Sequence, residues 1–315
     1  MKDGQPVVLV TGANGFVGRH VAPALIREGW VVRRAVRKSS GAEGEIVIGS
    51  IGPSTNWQPA LVDVDAVVHL AARVHHQNEE HAFELYRDIN IQGTLHFAYS
   101  AKQAGVGQFI FASTVLVHGR SNDGRPPFSE SDILMPRGLY GESKAAAEAG
   151  LKALAQTGGM QITVIRPPLI YGSGAKGNFA LLAKVVKLGL PLPLAAIDNH
   201  RAFLSVENLA SFISWRLSIA GRNFDIFLVA DQEQVSTPEF IARLAKAAGV
   251  RSRLFPMPIS ALRVLLKVSG KEDAYDSLVG SLELDVSKAA SSGWRPLVSL
   301  DQGLHRALSA ADSSD

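Results

Sequence analysis

The sequence predicts an α/β fold with a doubly wound, mostly parallel sheet and a smaller α+β part attached to it. Three observations carry this. Short β-branched runs alternate with segments of helical period, the pattern of βαβ units. The first run ends in glycines at three-residue spacing that open a helix. Near residue 167 the alternation gives way to a stretch rich in Gly and Pro, RPPLIYGSGAKGNF and then LGLPLPLAAIDN.

In chain order the expected strands are PVVLVT (6–11), WVVRRAV (30–36), EIVIGS (45–50), DAVVHLA (65–71), QFIFAST (108–114), QITVIRP (161–167) and NFDIFLVA (223–230). Near-continuous apolar runs of this kind suit strands covered on both faces. FVGRHVAPALIREG (16–29) and LYRDINIQGTLHFAYSAKQAG (85–105) have helical period, and each closes on a glycine suited to end a helix. Pro23 falls inside the first of these, where it removes a backbone hydrogen bond and is expected to bend the axis. The alanine-rich LYGESKAAAEAG (139–150) predicts a further helix. Late in the chain STPEF (236–240) opens another, with Ser236 or Thr237 as cap and Pro238 in the first turn. The first half is therefore a Rossmann-type domain. The expected division gives residues 1–167 and 205–230 to that domain, and 168–204 with 231–315 to the smaller one.

Composition narrows the function classes. At 315 residues, with 46% hydrophobic and 19% charged residues, the chain is globular. It has no cysteine, which rules out disulfides and thiolate metal sites and suits a reducing, cytoplasmic location. No apolar run approaches the roughly 18 residues of a membrane span. The apolar run before Gly12 is too short for a signal-peptide core. The net charge of +3 is spread along the chain, whereas a nucleic-acid partner would require a basic stripe. It suits an anionic small molecule. His75, His76 and His81 raise the question of a metal, but adjacent histidines rarely share one ion and no metal is expected. That loop is read as lying over a bound ligand, with Arg73 or His75 in contact. ISALRVLLKVSG (259–270) is expected to be an amphipathic helix packed on its own domain rather than on a membrane surface.

Two motifs carry chemistry. In VLVTGANGFVG (8–18) Gly12 permits the tight turn, Gly15 lets a pyrophosphate approach the helix N-terminus, and Gly18 lets helix and strand pack closely. In the 139–150 segment Tyr140 and Lys144 are four residues apart, so they stack on one helical face. At about 5 Å and an effective dielectric near 20, a Lys charge favours a phenolate by roughly 3 kcal/mol, about two pKa units. The spacing thus predicts a phenol lowered towards neutrality and used as a general acid and base.

Taken together these residues resemble the extended short-chain dehydrogenase/reductase family, the NAD-dependent epimerase/dehydratase group, over almost the whole chain. Gly12, Gly15 and Gly18 match its T-G-x-x-G-x-x-G, VVHLAA (67–72) its strand end beside the cofactor, and Asn90 its helix Asn. Ser113 and Thr114 match its Ser-Ser/Thr element, and Tyr140 with Lys144 its Y-x-x-x-K. RPPLIYG (166–172), Arg201 and SKAASSGWRP (287–296) also fall where the family has counterparts.

The resemblance implies Tyr140, Lys144 and Thr114 as the catalytic residues. It implies NAD or NADP held by Gly12, Asn14, Gly15, Phe16, Val17, Gly18, Arg37, Leu70, Ala71, Ala72, Asn90, Tyr140, Lys144 and Pro167. A UDP-sugar would meet Thr114, or Ser113 if the register is one residue off, together with Asn178 and Arg201, with Lys176 adding a nearby charge. A homodimer is left open. The reaction implied is hydride transfer at C4 of the sugar. The expected form is a 4-ketoreductase of a UDP-4-keto-6-deoxy-N-acetylhexosamine in surface-polysaccharide biosynthesis. A UDP-hexose or UDP-N-acetylhexosamine 4-epimerase is the alternative. A catalytically silent NAD(P)-binding regulator is the non-enzyme alternative, disfavoured by the intact Tyr140, Lys144 and Thr114.

The departures from the family also carry expectations. The second strand ends in Val36, Arg37 and Lys38 with no acid for the ribose 2′-hydroxyl. Arg37 can pair with a 2′-phosphate, so NADP(H) is expected to bind at least comparably to NAD(H). Gly49, Ser50 and Ile51 replace a Gly-Asp-Leu, His118 stands where many relatives have Tyr, and Tyr275 stands where a second diphosphate-binding Arg is expected. Thr114 is followed by Val115 and Leu116, not by the Asp-Glu of the dehydratases, so no dehydratase activity is expected.

Overall fold

The computed structural model describes residues 4–74, 82–268 and 273–309. Its strands are β1 (Val7–Thr11), β2 (Val31–Val36), β3 (Glu45–Val47), β4 (Ala66–His69), β5 (Gln108–Ala112), β6 (Gln161–Arg166), β7 (Leu169–Tyr171), β8 (Phe203–Ser205) and β9 (Phe224–Leu228). The α-helices are α1 (Phe16–Arg27), α2 (Gln58–Leu61), α3 (Ala82–Tyr86), α4 (Thr94–Gln103), α5 (Gly138–Gln156), α6 (Asn178–Lys187), α7 (Val206–Ser218), α8 (Thr237–Ala247), α9 (Ile259–Val268), α10 (Asp273–Val279), α11 (Ser287–Ser291) and α12 (Leu300–Ser309). A π-helical stretch at Arg87–Gly93 joins α3 to α4, and a 3₁₀ turn at Val115–Val117 follows β5.

The seven expected strands form one sheet in the order β3-β2-β1-β4-β5-β6-β9, every pair parallel. The chain winds outward from β1 through β2 to β3, then restarts on the other side with β4. The reversal leaves a crevice at the carboxyl ends of β1 and β4, the switch point where doubly wound sheets bind ligands. Period-two alternation covers both faces. Val8, Val10, Val68 and Ile110 pack with Val21, Leu25, Phe212 and Ile213 of α1 and α7. Leu9, Val67, Phe109 and Val164 pack with Phe97, Ala98, Ala147 and Leu151 of α4 and α5. Each Val, Leu, Ile or Phe side chain among these, fully buried, stabilises the fold by about 1.5–3 kcal/mol. Ala289 and Trp294, far along the chain, join the first of these clusters.

Pro23 lies inside α1, which continues through it to Arg27. The residue is exposed, so its missing N–H falls on the open side of the helix, where water can take its place.

A second sheet pairs β7 with β8 in parallel. Around it Tyr171, Phe179, Phe203, Phe240, Leu244 and Leu304 form a separate apolar cluster, with Phe203 stacked on Phe240 at 3.9 Å. Ser236 caps α8 by accepting from Glu239 N at 3.2 Å, with Pro238 in the first turn as expected. Helix α9 turns Leu262 and Leu266 inward and leaves Val264, Leu265 and Val268 exposed. Among the described residues no helix is long and apolar enough to cross a membrane.

Candidate active site

The glycine turn closes one side of the crevice. Gly12 has φ +69°, and a Cβ there would stand 2.9 Å from Ala71 N. At Gly18 a Cβ would lie 2.2 Å from Gly12 O, so α1 packs directly on the turn that precedes it. Gly15 begins the helix with extended backbone, its N–H on Gly12 O at 2.9 Å, and no side chain caps it. Helix N–H groups that need partners, carrying the positive end of the helix dipole, are therefore left uncapped by any side chain at the start of α1, beside Asn14.

Beside it the ends of β1 and β4 are tied together. Thr11 Oγ1 is hydrogen-bonded to His69 Nδ1 at 2.6 Å and accepts from Ala71 N at 3.3 Å, and His69 Nε2 meets Thr94 Oγ1 at 3.0 Å. Burial pulls His69 down to about 3, with the Lys144 charge adding in the same direction, so the ring is neutral and serves as a bridge. Leu70, Ala71 and Ala72 follow β4, half-buried along the crevice. Asn90, almost wholly buried in the π-helical stretch, clamps this segment. Its Oδ1 accepts from Arg73 N at 2.8 Å, and its Nδ2 donates to Arg73 O at 3.1 Å and Ser143 Oγ at 3.0 Å. Ser143 in turn donates to Tyr140 O at 2.8 Å. One buried amide thus couples the wall of the crevice to the first turn of α5, and the π-helix is the local device that aims it.

That first turn carries Tyr140, with Lys144 one turn later. The Lys144 Nζ lies 6.0 Å from the Tyr140 ring centroid and 4.3 Å from that of Phe111, and it donates to Ala112 O at 2.7 Å. The expected lowering of the phenol is not what this arrangement produces. Burial pushes Tyr140 up to about 12, Tyr86 adding to the effect, and burial pulls Lys144 down to about 7 against the upward influence of Glu148. Spacing alone gives the separation of the pair, but desolvation dominates: Lys144 is buried against Phe111 and the end of β5, and Tyr140 is half-buried at the first turn of α5.

Thr114 begins the 3₁₀ turn after β5, its Oγ1 accepting from Leu116 N at 3.3 Å. Gly141 of α5 packs on that turn, where a Cβ would stand 3.1 Å from Leu116 O, so the turns carrying Thr114 and Tyr140 are in contact. Pro167, just past β6, holds the start of the turn by accepting from Val115 N at 2.9 Å.

Ser113 is not in this group. Its hydroxyl donates to Glu148, which is paired with Arg166 at 2.6 Å, both side chains being at most 4% exposed. The expectation that Ser113 could replace Thr114 towards substrate is corrected on that ground: its hydroxyl is committed to a buried ion pair. Arg166 Nη1 reaches His118 Nε2 at 3.0 Å. Burial, then the Arg166 charge, lowers His118 to about 4, so its ring is neutral and accepts from the guanidinium.

Further out, Asn178 is exposed at the first residue of α6. Arg201 donates through Nη1 to Asp276 O at 3.2 Å and to Gly280 O, closing the end of α10. Burial draws it down to about 10, against Asp123 and Asp276. At Tyr275 the guanidinium of Arg263 lies 5.5 Å over the ring, so a cation from α9 stands beside the place of the missing second arginine. His75, His76 and His81 lie outside the described residues. Among those described no cluster of metal-ligating side chains occurs.

Arg37 is exposed just beyond the end of β2. The sequence reading missed Glu45. No acid ends β2, but β3 brings one: the Glu45 carboxylate accepts from Ser40 Oγ at 2.6 Å, Ser40 N at 2.7 Å, Ser39 Oγ at 2.9 Å and Asn14 Nδ2 at 3.4 Å. The only sequence signal was an acid opening a strand, and the register that places it beside Arg34 of β2 is set by pairing.

Comparison with known proteins agrees with this geometry. Residues 8–230 match the model of the NAD dependent epimerase/dehydratase family. The chain is 35% identical to the UDP-glucose 4-epimerase of Vibrio cholerae, over 96% of this chain and 94% of that one. It is 28% identical, over the same shares, to the N-acetyl-alpha-D-glucosaminyl-diphospho-ditrans,octacis-undecaprenol 4-epimerase of Escherichia coli O157:H7. The solved structure of MoeE5 in complex with UDP-glucuronic acid and NAD superposes with a TM-score of 0.78 at 25% identity, covering 98% of this chain and 99% of that one. The chain belongs to the NAD dependent epimerase/dehydratase family and is an NAD(P)-dependent enzyme.

Proposed function

We propose that this chain is a 4-epimerase of a UDP-hexose or UDP-N-acetylhexosamine. The observation that carries the reading is the Tyr140–Lys144 pair, set on the turn that touches Thr114 and coupled through Asn90 to the wall of the dinucleotide crevice. When bound, the dinucleotide supplies a hydride acceptor and donor at C4. The protein's part is to move the O4 proton and hold the sugar. Tyr140 takes that proton as the ketone forms and returns it as the alcohol re-forms. Lys144, which fixes its own position on Ala112 O, provides the positive charge that a phenolate needs. Thr114 aligns the sugar oxygen with the phenol. Gly12, Asn14, Gly15, Phe16, Val17 and Gly18 hold the pyrophosphate, with Leu70, Ala71, Ala72 and Pro167 along the rest of the dinucleotide. Asn178 and Arg201 face the sugar-nucleotide diphosphate, with Arg263 as the second cation.

The likeness to a UDP-glucose 4-epimerase at 35% identity supports epimerisation over the reductase expected from sequence. The exposed Arg37 favours a second reading, a 4-ketoreductase fed by NADPH. The two readings share Tyr140, Lys144 and Thr114 and differ in whether the cofactor leaves oxidised. The separating experiment supplies UDP-glucose and UDP-GlcNAc without reductant, and in parallel a UDP-4-keto-6-deoxy-N-acetylhexosamine with NADPH or NADH. Interconversion of gluco and galacto sugars with no net change in reduced-nicotinamide absorbance is the expected outcome. Stoichiometric oxidation of the reduced cofactor by the keto sugar, with no interconversion, would replace the epimerase reading by the reductase. Inertness in both arms would exclude C4 chemistry on these substrates.

A further inference from the structure

In dinucleotide folds the 2′ position of the adenosine ribose is read at the end of β2, beside the glycine turn. Here that corner holds two serines, an arginine and an asparagine: Arg37, Ser39 and Ser40 in the loop after β2, and Asn14 in the glycine turn. Ser39, Ser40 and Asn14 aim hydroxyl, backbone N–H and amide donors at one point, the kind of donor set that takes a phosphate, with the exposed Arg37 in the same loop. They are not alone. The carboxylate of Glu45 already takes Ser39 Oγ, both the N–H and the Oγ of Ser40, and Asn14 Nδ2.

We infer that Glu45 is an internal stand-in for the 2′-phosphate and sets a preference for NAD(H) over NADP(H), an inference that rests on the dinucleotide reading of the crevice. A 2′-phosphate entering this corner would meet a fixed like charge and compete for donors already in use. A 2′-hydroxyl brings no charge and can itself donate to the carboxylate. The hydrogen bonds from Ser40, foremost, keep Glu45 ionised down to about pH 2, so the charge is present at any working pH. Arg37 alone would favour the opposite preference.

The test measures binding rather than turnover. Full-length protein stripped of co-purified nucleotide is titrated with NADH and with NADPH, following nicotinamide fluorescence, for wild type, Glu45→Gln and Ser40→Ala. Wild type is expected to bind NADH at least tenfold more tightly than NADPH. Glu45→Gln keeps the shape and removes the charge, and should narrow that ratio about tenfold by tightening NADPH. Ser40→Ala loosens the loop but keeps the charge, and should leave NADH preferred. An unchanged ratio in Glu45→Gln, equal affinities in wild type, or an equal narrowing in Ser40→Ala would each overturn the role of the Glu45 charge while leaving the dinucleotide site intact. Failure of the wild type to bind either nucleotide would remove the dinucleotide reading itself.

Discussion

Tyr140→Phe is expected to cut turnover of the accepted UDP-sugar by about 10² to 10⁴-fold, the contribution of a positioned general acid and base. NADH affinity and melting temperature should stay close to wild type, because the ring remains in place and only the hydroxyl is lost. The size of the effect follows from the site. In the proposed mechanism the phenol exchanges a proton with the sugar held against Thr114, and its neighbours Ser143 and Lys144 on α5 are engaged elsewhere. Lys144 is turned to Ala112 O, and Ser143 is occupied by Asn90 and Tyr140 O. Steady-state rates with circular dichroism and thermal melts on the same samples check it. Turnover within threefold of wild type would exclude Tyr140 as the proton carrier.

Arg166→Met should lower stability by about 3–5 kcal/mol, because it leaves the buried Glu148 carboxylate without its counter-charge. The pair is closed by three Arg166 N–H contacts, at 2.6, 3.1 and 3.2 Å, under the turn that carries Thr114. A loss of this size lowers the melting temperature by on the order of 10 °C. The double variant Glu148→Leu with Arg166→Met should recover most of it, since an apolar pair of similar volume needs no counter-charge. Thermal melts and denaturant titration read both variants. A single variant that melts within about 2 °C of wild type would mean that the pair has a solvated alternative.

The sheet was legible because parallel strands covered on both faces read as apolar runs, and each of the seven expected runs contains a strand of the large sheet. The small sheet was not. Its strands Leu169–Tyr171 and Phe203–Ser205 are three residues each, the first set between Pro168 and Gly172, and their pairing joins segments more than thirty residues apart. In the site, the spacing of glycines and of Tyr140 with Lys144 gave local geometry, since turns and helices are set by neighbours in sequence. It could not give burial. That is why the phenol stands high, when a surface pair would have lowered it. Ser113 and Thr114 are adjacent and chemically alike, and only the exit of the chain from β5 gives the hydroxyl of one to Glu148 and sets that of the other on Leu116 N in the 3₁₀ turn. Glu45 needed the register of β2 against β3, which no local pattern encodes. The outward Val264, Leu265 and Val268 show that α9 packs by one face only, as its period suggested.

Hydride transfer at C4 is tested most directly by isotope. The UDP-hexose that the enzyme accepts is prepared with deuterium at C4, turned over in ordinary water to equilibrium, and both epimers are isolated and weighed by mass spectrometry. The expected result is deuterium kept at C4 in substrate and product alike, with no net oxidation or reduction of the cofactor, because the same hydride leaves and returns. Loss of the label to solvent at a rate matching turnover would mean that C4 is deprotonated and reprotonated, and would contradict a hydride passed from C4 to the dinucleotide and back.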